Sequence, residues 1–248
     1  MASTYETGCV QNVANFETLI SYITAFGADY NPSKTSLKIP ELQKILSEAK
    51  TSLNAVNVAF SAHSNAIAAR ESAFEPLSKL VTRVNNALKA TDTTTQVDDS
   101  AKTIVRKIQG TRASAKLTEE QKQALAAEGK EVIQVSASQM GFNDRIENFD
   151  KLITLLSSIP NYTPNEEELK IESLTAYLND LKSKNAAVLP LEVQLSNARI
   201  LRNDIQDRPL TGLIDIALDS KVYIKSVFGA SSPQYKQISK LAFVKRKK

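Results

Sequence analysis

The chain has 248 residues, of which 42% are hydrophobic and 23% are charged, a composition typical of one large globular domain or two small ones. Its single cysteine, Cys9, excludes an intramolecular disulfide framework, and its single histidine, His63, excludes a His/Cys zinc module. The first residues form neither a basic nor an apolar signal region. We therefore expect a cytoplasmic protein, with export without a leader left open.

The formal charge of +4 comes from the C-terminal end. The stretch 229–248 contains six Lys and Arg side chains and no acidic one, which leaves 25 basic against 27 acidic residues, a net −2, in the remainder. The segment 101–116 also lacks acidic residues, and it lacks the aromatic residues that stack on bases. Lys and Arg clusters attract phosphate groups, so 101–116 and 236–248 are candidate sites for nonspecific binding of nucleic acid or acidic lipid. The candidate contacts are Lys102, Arg106, Lys107, Arg112, Lys116, Lys236, Lys240, Lys245, Arg246, Lys247 and Lys248.

The two halves of the chain resemble each other when the numbering is shifted by 132 to 133. Residues 15–26 match 148–159 at 4 of 12 positions, and residues 30–50 match 162–182 at 8 of 21. This similarity predicts an internal duplication. We expect a first helical repeat at 10–116, a connecting helix at 117–142 and a second repeat with a basic tail at 143–248, packed as one unit.

Helical periodicity runs through both repeats. From Ile39 to Leu88, apolar residues recur at alternating steps of three and four. The pattern predicts an all-α fold, specifically an elongated helical bundle with long kinked helices. Proline lacks the N–H group of a helix interior, so Pro76 and Pro209 are predicted to break the helix in the two repeats, and Pro190 is predicted to add an interruption.

Shorter helices are expected ahead of the long ones, at 10–26 and 143–159. No transmembrane helix is expected. The longest uncharged run, 51–69, contains eight polar residues.

Three polar residues fall on the apolar line of the predicted helices. His63 lies between Phe60 and Ile67, and Arg70 and Arg202 occupy similar positions in the two repeats. A polar residue on such a line can fix how helices pair, whereas catalysis needs a neighbouring base or nucleophile. We interpret all three as structural polar residues, and a pH-sensitive contact of His63 is the alternative.

Several strings support a resemblance to a known family. They are VANFETLISY, YNPSKTSLK, AIAARESAFEPLSKLVTRVNNAL, DDSAKTIVRKIQG, SNARILRN and TGLIDIALDSKVYIKSVFGASSPQYKQI. They resemble an uncharacterised bacterial family of soluble, tandem-duplicated, all-helical proteins of a Bacteroidetes type. The resemblance covers nearly the whole chain and implies no activity.

No motif for catalysis, metal binding or nucleotide binding occurs in the sequence, and its seven glycines are scattered singly. We therefore expect a protein that is not an enzyme, with no cofactor, metal or small-molecule substrate. The expected function is that of a structural or protein-interaction bundle that can assemble with itself. The alternatives are an α-helical pore-forming or membrane-interacting protein, and a nonspecific binder of anions through the basic segments.

Overall fold

The computed structural model describes residues 4–112, Thr118, Gln123, Ala127 and 140–245. Within these residues every regular element is an α-helix or a short 3-10 turn. The predicted all-α class with long helices is therefore confirmed. The predicted connecting helix at 117–142 lies outside the described residues, apart from isolated positions and its last three residues.

Four helices occupy the first half of the chain: α1 (Thr4–Ala25), α2 (Ile39–Phe74), α3 (Leu77–Lys89) and α4 (Thr95–Gln109). Two 3-10 turns, Gly27–Asp29 and Thr35–Leu37, join α1 to α2. Pro76 is the residue immediately before α3. The predicted break at this proline is confirmed, because its ring fits a helix start but not a helix interior.

Four more helices follow in the second half: α5 (Phe142–Ser157), α6 (Ile171–Asp207), α7 (Leu213–Phe228) and α8 (Pro233–Ser239). A 3-10 turn at Glu167–Leu169 precedes α6. The helix breaks at Pro209 as predicted, since α6 ends at Asp207 and α7 begins at Leu213.

The predicted interruption at Pro190 is wrong, because α6 continues through this residue. Proline removes the hydrogen bond to the carbonyl four residues earlier, which belongs to Ala186. Both residues are exposed, so water can satisfy that carbonyl and the helix persists.

The chain forms two compact units, each built from both halves of the sequence. Unit 1 comprises Met1–Ser64 and Pro190–Lys248, and unit 2 comprises Asn65–Leu189. Unit 1 therefore contains α1, α7 and α8, while unit 2 contains α3, α4 and α5. The long helices α2 and α6 contribute residues to both units. The units do not coincide with the repeats 10–116 and 143–248, since each unit combines the leading helix of one half with the trailing helices of the other.

Each unit has its own apolar core. In unit 1, α1, α7 and α8 bury Phe16, Leu19, Ile23, Leu213, Ile216, Ala217, Ile224 and Ile238. In unit 2, the second part of α2, α3, α4, α5 and the first part of α6 bury Phe74, Leu77, Val81, Leu88, Ile108, Phe149, Leu152, Leu156, Leu174 and Leu181. Each fully buried side chain of this size contributes about 1.5–3 kcal/mol to stability.

The units pack in corresponding ways. In unit 1, α8 packs on α1 and α7, and the turn Thr35–Leu37 packs on α7. In unit 2, α4 packs on α5 and α3, and the turn Glu167–Leu169 packs on α3. The buried α3 residues 77, 81, 84 and 88 correspond to the buried α7 residues 213, 217, 220 and 224 at an offset of 136. The connection between α6 and α7 is thus three residues longer than that between α2 and α3.

Candidate functional site

Two of the polar residues predicted on the apolar helix faces have structural contacts. The Arg70 guanidinium lies 4.0 Å from the centre of the Phe142 ring, and its Nη1 donates to Asn185 Oδ1 at 3.4 Å. Arg202 is 3% exposed and donates through Nε and Nη2 to Asn203 Oδ1 at 3.1 and 3.0 Å. A buried guanidinium needs such acceptors or an aromatic face, and each of these two side chains has at least one of them.

His63 lies half-buried in α2, but Phe60, its predicted neighbour on the apolar face, does not lie on the buried face. Phe60 is 54% exposed, whereas Val56 and Ala59 are buried against Leu195. Val56 lies on the predicted line and is buried, so the buried face passes through Ala59 and not Phe60 in the next helical turn.

The first basic segment is divided between α4 and the residues after it. Lys102, Lys107 and Arg112 are exposed, and Arg106 is half-buried. Among the described residues, none of these four cations lies within ion-pair distance of a carboxylate. Lys116 lies outside the described residues, as do Arg246, Lys247 and Lys248 of the second segment.

The second basic segment is attached to the protein through Lys245. Its side chain pairs with both carboxylate oxygens of Asp215, at 3.0 and 3.3 Å. The Leu210 N–H also donates to this carboxylate, at 2.9 Å, and the two contacts hold the pKa of Asp215 below its usual 3.8. Lys236 and Lys240 are exposed. The chain is therefore bound to unit 1 as far as Lys245, which the sequence did not predict.

Residues 241–245 follow α8 without regular structure, and we call them the C-terminal segment. Side chains of unit 1 bind this segment, and we call these side chains together the acceptor groove. The groove is formed by Asn12 and Asn15 of α1, Gln206 of α6, and Asp215 and Lys221 of α7.

Asn12 is the central residue of the groove and is 1% exposed. Its Oδ1 accepts the Val244 N–H at 2.8 Å, and its Nδ2 donates to the Val244 carbonyl at 2.9 Å. The same Nδ2 donates to Gln206 Oε1 at 3.1 Å, and Gln206 Nε2 donates to the Cys9 carbonyl at 3.1 Å. Gln206 is fully buried. The network satisfies two buried amides, which would otherwise be costly.

Two further side chains bind the main chain on the N-terminal side of Val244. Asn15 Nδ2 donates to the Ala242 carbonyl at 2.6 Å. Lys221 Nζ donates to the carbonyls of Ser239 and Leu241, both at 3.0 Å. Burial lowers the pKa of Lys221. Sequence reasoning missed the groove, although Asn12 interrupts an otherwise apolar buried face of α1 formed by Cys9, Val13 and Phe16, and that interruption was the available signal.

Exposed apolar side chains are distributed unequally between the two halves. Seven large ones, exposed by 43 to 76%, lie on α6, α7 and their connection within unit 1: Val193, Ile200, Leu201, Leu210, Leu218, Val222 and Val227. We call them the α6–α7 apolar residues. The matching stretch of the first half, residues 61–91, exposes none.

Leu210 is the most exposed of these residues, at 76%, and it has a φ of +66°. A branched residue rarely adopts this left-handed conformation. Its N–H is held by Asp215, and the Gly212 N–H donates to the Arg208 carbonyl at 2.8 Å. The connection therefore holds an apolar side chain in contact with water, in a backbone conformation that costs about 1–3 kcal/mol.

A separate cleft of about 450 Å³ lies within unit 2. Leu80 and Tyr177 contribute apolar surface, and Lys79, Arg83 and Glu168 lie at its charged side. Arg83 and Glu168 form an ion pair with each other. The Tyr177 hydroxyl donates to the Ala73 carbonyl at 2.6 Å. The polar groups of Arg83, Glu168 and Tyr177 thus engage the protein itself.

Across the described part of the chain, no three His, Cys, Asp or Glu side chains are grouped so that they could hold a metal ion. Among the described helices, none has the length and apolar character needed to cross a membrane. Comparisons with protein-family models, curated proteins and solved structures found no match to this chain.

Proposed function

We propose that this chain is a non-catalytic interaction protein whose main partner is a second copy of itself. The supporting observation is the unequal exposure of apolar residues in two halves that share one plan of helices. Residues 193–227 expose seven large apolar side chains, and the matching residues 61–91 expose none. Contiguous exposed apolar surface is typical of contacts with another molecule, and Leu218 and Val222 are adjacent on α7.

We further propose that the two halves arose by duplication of one helical repeat. Matching ion pairs support this proposal in addition to the sequence similarity. Lys50 pairs with Glu17 at 2.6 Å in unit 1, and Lys182 pairs with Asp150 at 2.8 Å in unit 2. The two lysines and the two acids occupy equivalent positions in the alignment of the halves. After a duplication, the apolar surface of one half can become an interface while the other half stays polar.

Burial of exposed apolar area provides the energy for association. Leu218 and Val222 are one helical turn apart on α7, so both can enter the same contact. Full burial of side chains of this size contributes about 1.5–3 kcal/mol each. A few such residues at the centre of an interface usually carry most of the binding energy.

The test is sedimentation velocity of the intact chain and of L218K/V222K over a wide range of concentrations. The wild-type protein should associate, and the variant should remain at 27.2 kDa with an unchanged helical circular dichroism spectrum. V58K is the matched control, because Val58 is 61% exposed but lies on α2, outside the α6–α7 apolar residues. A V58K protein that dissociates as completely as L218K/V222K would contradict the proposed location of the interface.

Nonspecific anion binding is the second candidate function. It is supported by Lys102, Arg106, Lys107 and Arg112, which form no ion pair with another described residue. Binding of a DNA duplex should weaken steeply with salt and should be lost in K102E/R106E/K107E. Deletion of residues 246–248 tests the separate contribution of the C-terminal cations. Binding that survives both changes would exclude Lys102, Arg106, Lys107 and residues 246–248 as its cause.

The membrane-active alternative, the cytoplasmic location and the family resemblance remain predictions. Leakage of dye from neutral and anionic vesicles tests the first of these. A pore-forming protein would release the dye at concentrations at which the protein binds the vesicles. Vesicles that stay intact in both cases would exclude that function.

A further inference from the structure

The acceptor groove recognises the C-terminal segment as an extended peptide. Asn12 contacts both main-chain polar groups of Val244, and Asn15 and Lys221 contact the carbonyls of Ala242 and Leu241. These bonds resemble those by which a sheet edge binds an added strand, with side-chain amides replacing the neighbouring backbone. These hydrogen bonds involve only main-chain groups of the bound segment, so a segment from a second copy can form them as well.

Side chains of the segment add selectivity in an alternating pattern. Leu241 and Phe243 are half-buried against the core of unit 1, whereas Ala242 and Val244 are exposed. Lys245 then pairs with Asp215. The groove therefore fits an extended peptide with apolar residues at two alternate positions, followed two residues later by a cation.

We propose that the acceptor groove also binds the C-terminal segment of a second copy of this chain, so that two copies exchange residues 241–245. This inference rests on the proposed self-association and names the contact that makes it specific. The C-terminal segment itself fits the groove, because the structure shows residues 241–245 bound there. Exchange of identical elements between copies is an accessible route to a dimer.

The position of the groove links the exchange to the α6–α7 apolar residues. Lys221 and Asp215 of the groove lie on α7, the helix that also carries Leu218 and Val222. Only Lys240 separates α8 from the C-terminal segment. A connection this short keeps the two α7 helices of an exchanged pair close together, where these apolar side chains can become buried.

The test is complementation between two full-length variants. N12L impairs the groove and keeps a normal segment, while L241D/F243D impairs the segment and keeps a normal groove. Each variant alone should be a monomer by light scattering, and an equimolar mixture should form a mixed dimer of twice 27.2 kDa. The control is a mixture of L241D/F243D with N12L/L241D/F243D, which contains no intact segment and should not associate.

A second pair of variants tests the exchange if N12L or L241D/F243D does not fold. K245E and D215K each replace the ion pair with a repulsion, and D215K also removes the acceptor of the Leu210 N–H, although neither changes a fully buried residue. The two variants should associate when mixed, because the new carboxylate at position 245 of one copy can meet the new ammonium group at position 215 of the other. In the double variant K245E/D215K the pair is restored within each chain and can also form between copies, so the double variant should associate as the wild type does.

The outcomes separate the exchange from self-association in general. Mixtures that stay monomeric while all variants are folded would overturn the exchange. A wild-type oligomer that persists undiminished in L241D/F243D would support self-association and refute its assignment to the groove. A wild-type monomer at every concentration, together with monomeric mixtures, would overturn both proposals.

Discussion

Tyr30 and Tyr162 form the same hydrogen bond at equivalent positions of the two halves. The Tyr30 hydroxyl donates to the Leu37 carbonyl at 2.8 Å, and the Tyr162 hydroxyl donates to the Leu169 carbonyl at 2.9 Å. Each bond is buried and fastens the chain ahead of a long helix. Burial raises the pKa of each tyrosine to about 12.

Replacement of either tyrosine by phenylalanine should lower the free energy of unfolding by about 1–3 kcal/mol, because the buried carbonyl loses its donor. Chemical denaturation with circular dichroism measures the change. Y22F is the control, since no hydrogen bond of the Tyr22 hydroxyl occurs among the described residues. Equal effects of Y22F and Y30F would show that the hydroxyl bond has no special role.

The raised pKa values also predict alkaline behaviour. A neutral hydroxyl stabilises the fold below pH 10, the ordinary pKa of tyrosine, and this contribution is lost as the pH rises toward about 12. Ultraviolet titration of the folded protein should show ionisation of Tyr30 and Tyr162 well above pH 10. In Y30F and in Y162F, the number of tyrosines that ionise well above pH 10 should be one lower than in the wild-type protein. Ionisation of both tyrosines near pH 10 without unfolding would contradict the described burial.

The division of each unit between the two halves predicts the result of cutting the chain. A specific protease site inserted between Glu128 and Gly129 separates α1–α4 from α5–α8. Because each compact unit contains helices from both fragments, the cut protein should elute as one species in native buffer and should separate only in denaturant. Fragments that separate without denaturant would contradict this arrangement.

Gly212 approaches other backbone atoms too closely to carry a side chain. A Cβ atom at this position would lie 2.6 Å from the Arg208 carbonyl oxygen and 2.8 Å from that of Gln206. G212A should therefore destabilise the protein by about 1–3 kcal/mol. G8A is the control, because a Cβ at Gly8 meets no atom within 4 Å and alanine favours a helix. Thermal unfolding compares the two, and equal melting temperatures would contradict the close approach.

The ion pair of Asp215 predicts the pH dependence of the C-terminal segment. The Leu210 N–H and then the Lys245 ammonium group stabilise the charged carboxylate and lower the Asp215 pKa, so this contribution is present at neutral pH and is lost as the pH falls through the lowered pKa. An NMR titration should place the Asp215 pKa below 3.8 and show it rising in K245A. A pKa of 3.8 or more in the wild-type protein would mean that the segment is not bound through this pair.

Periodicity and proline positions were sufficient to predict the helical class and two of the breaks. Pro76 and Pro209 lie where the chain must change direction, whereas Pro190 lies on an exposed helix face that tolerates the lost bond. A single pattern of apolar residues cannot distinguish these cases, because it does not report whether water reaches the unpaired carbonyl. The same pattern placed Phe60 on the buried face, where Ala59 is buried instead.

Contacts between distant segments could not be predicted from local patterns. Lys34 pairs with Asp219 in unit 1, and Arg83 pairs with Glu168 in unit 2. Each pair joins the turn before a long helix to the corresponding helix, but the basic residue lies at the turn in unit 1 and on the helix in unit 2. A search for identical residues therefore overlooks the correspondence. The acceptor groove was missed for a related reason, since Asn12 and Val244 are 232 residues apart.

Light scattering of the wild-type chain over a wide range of concentrations, without lipid or nucleic acid, shows directly whether copies of the chain associate. We expect the mass to rise from 27.2 kDa toward a multiple of that value, and the rise to be abolished by L218K/V222K. A strict monomer of 27.2 kDa at every concentration would contradict the proposal that this chain assembles with itself.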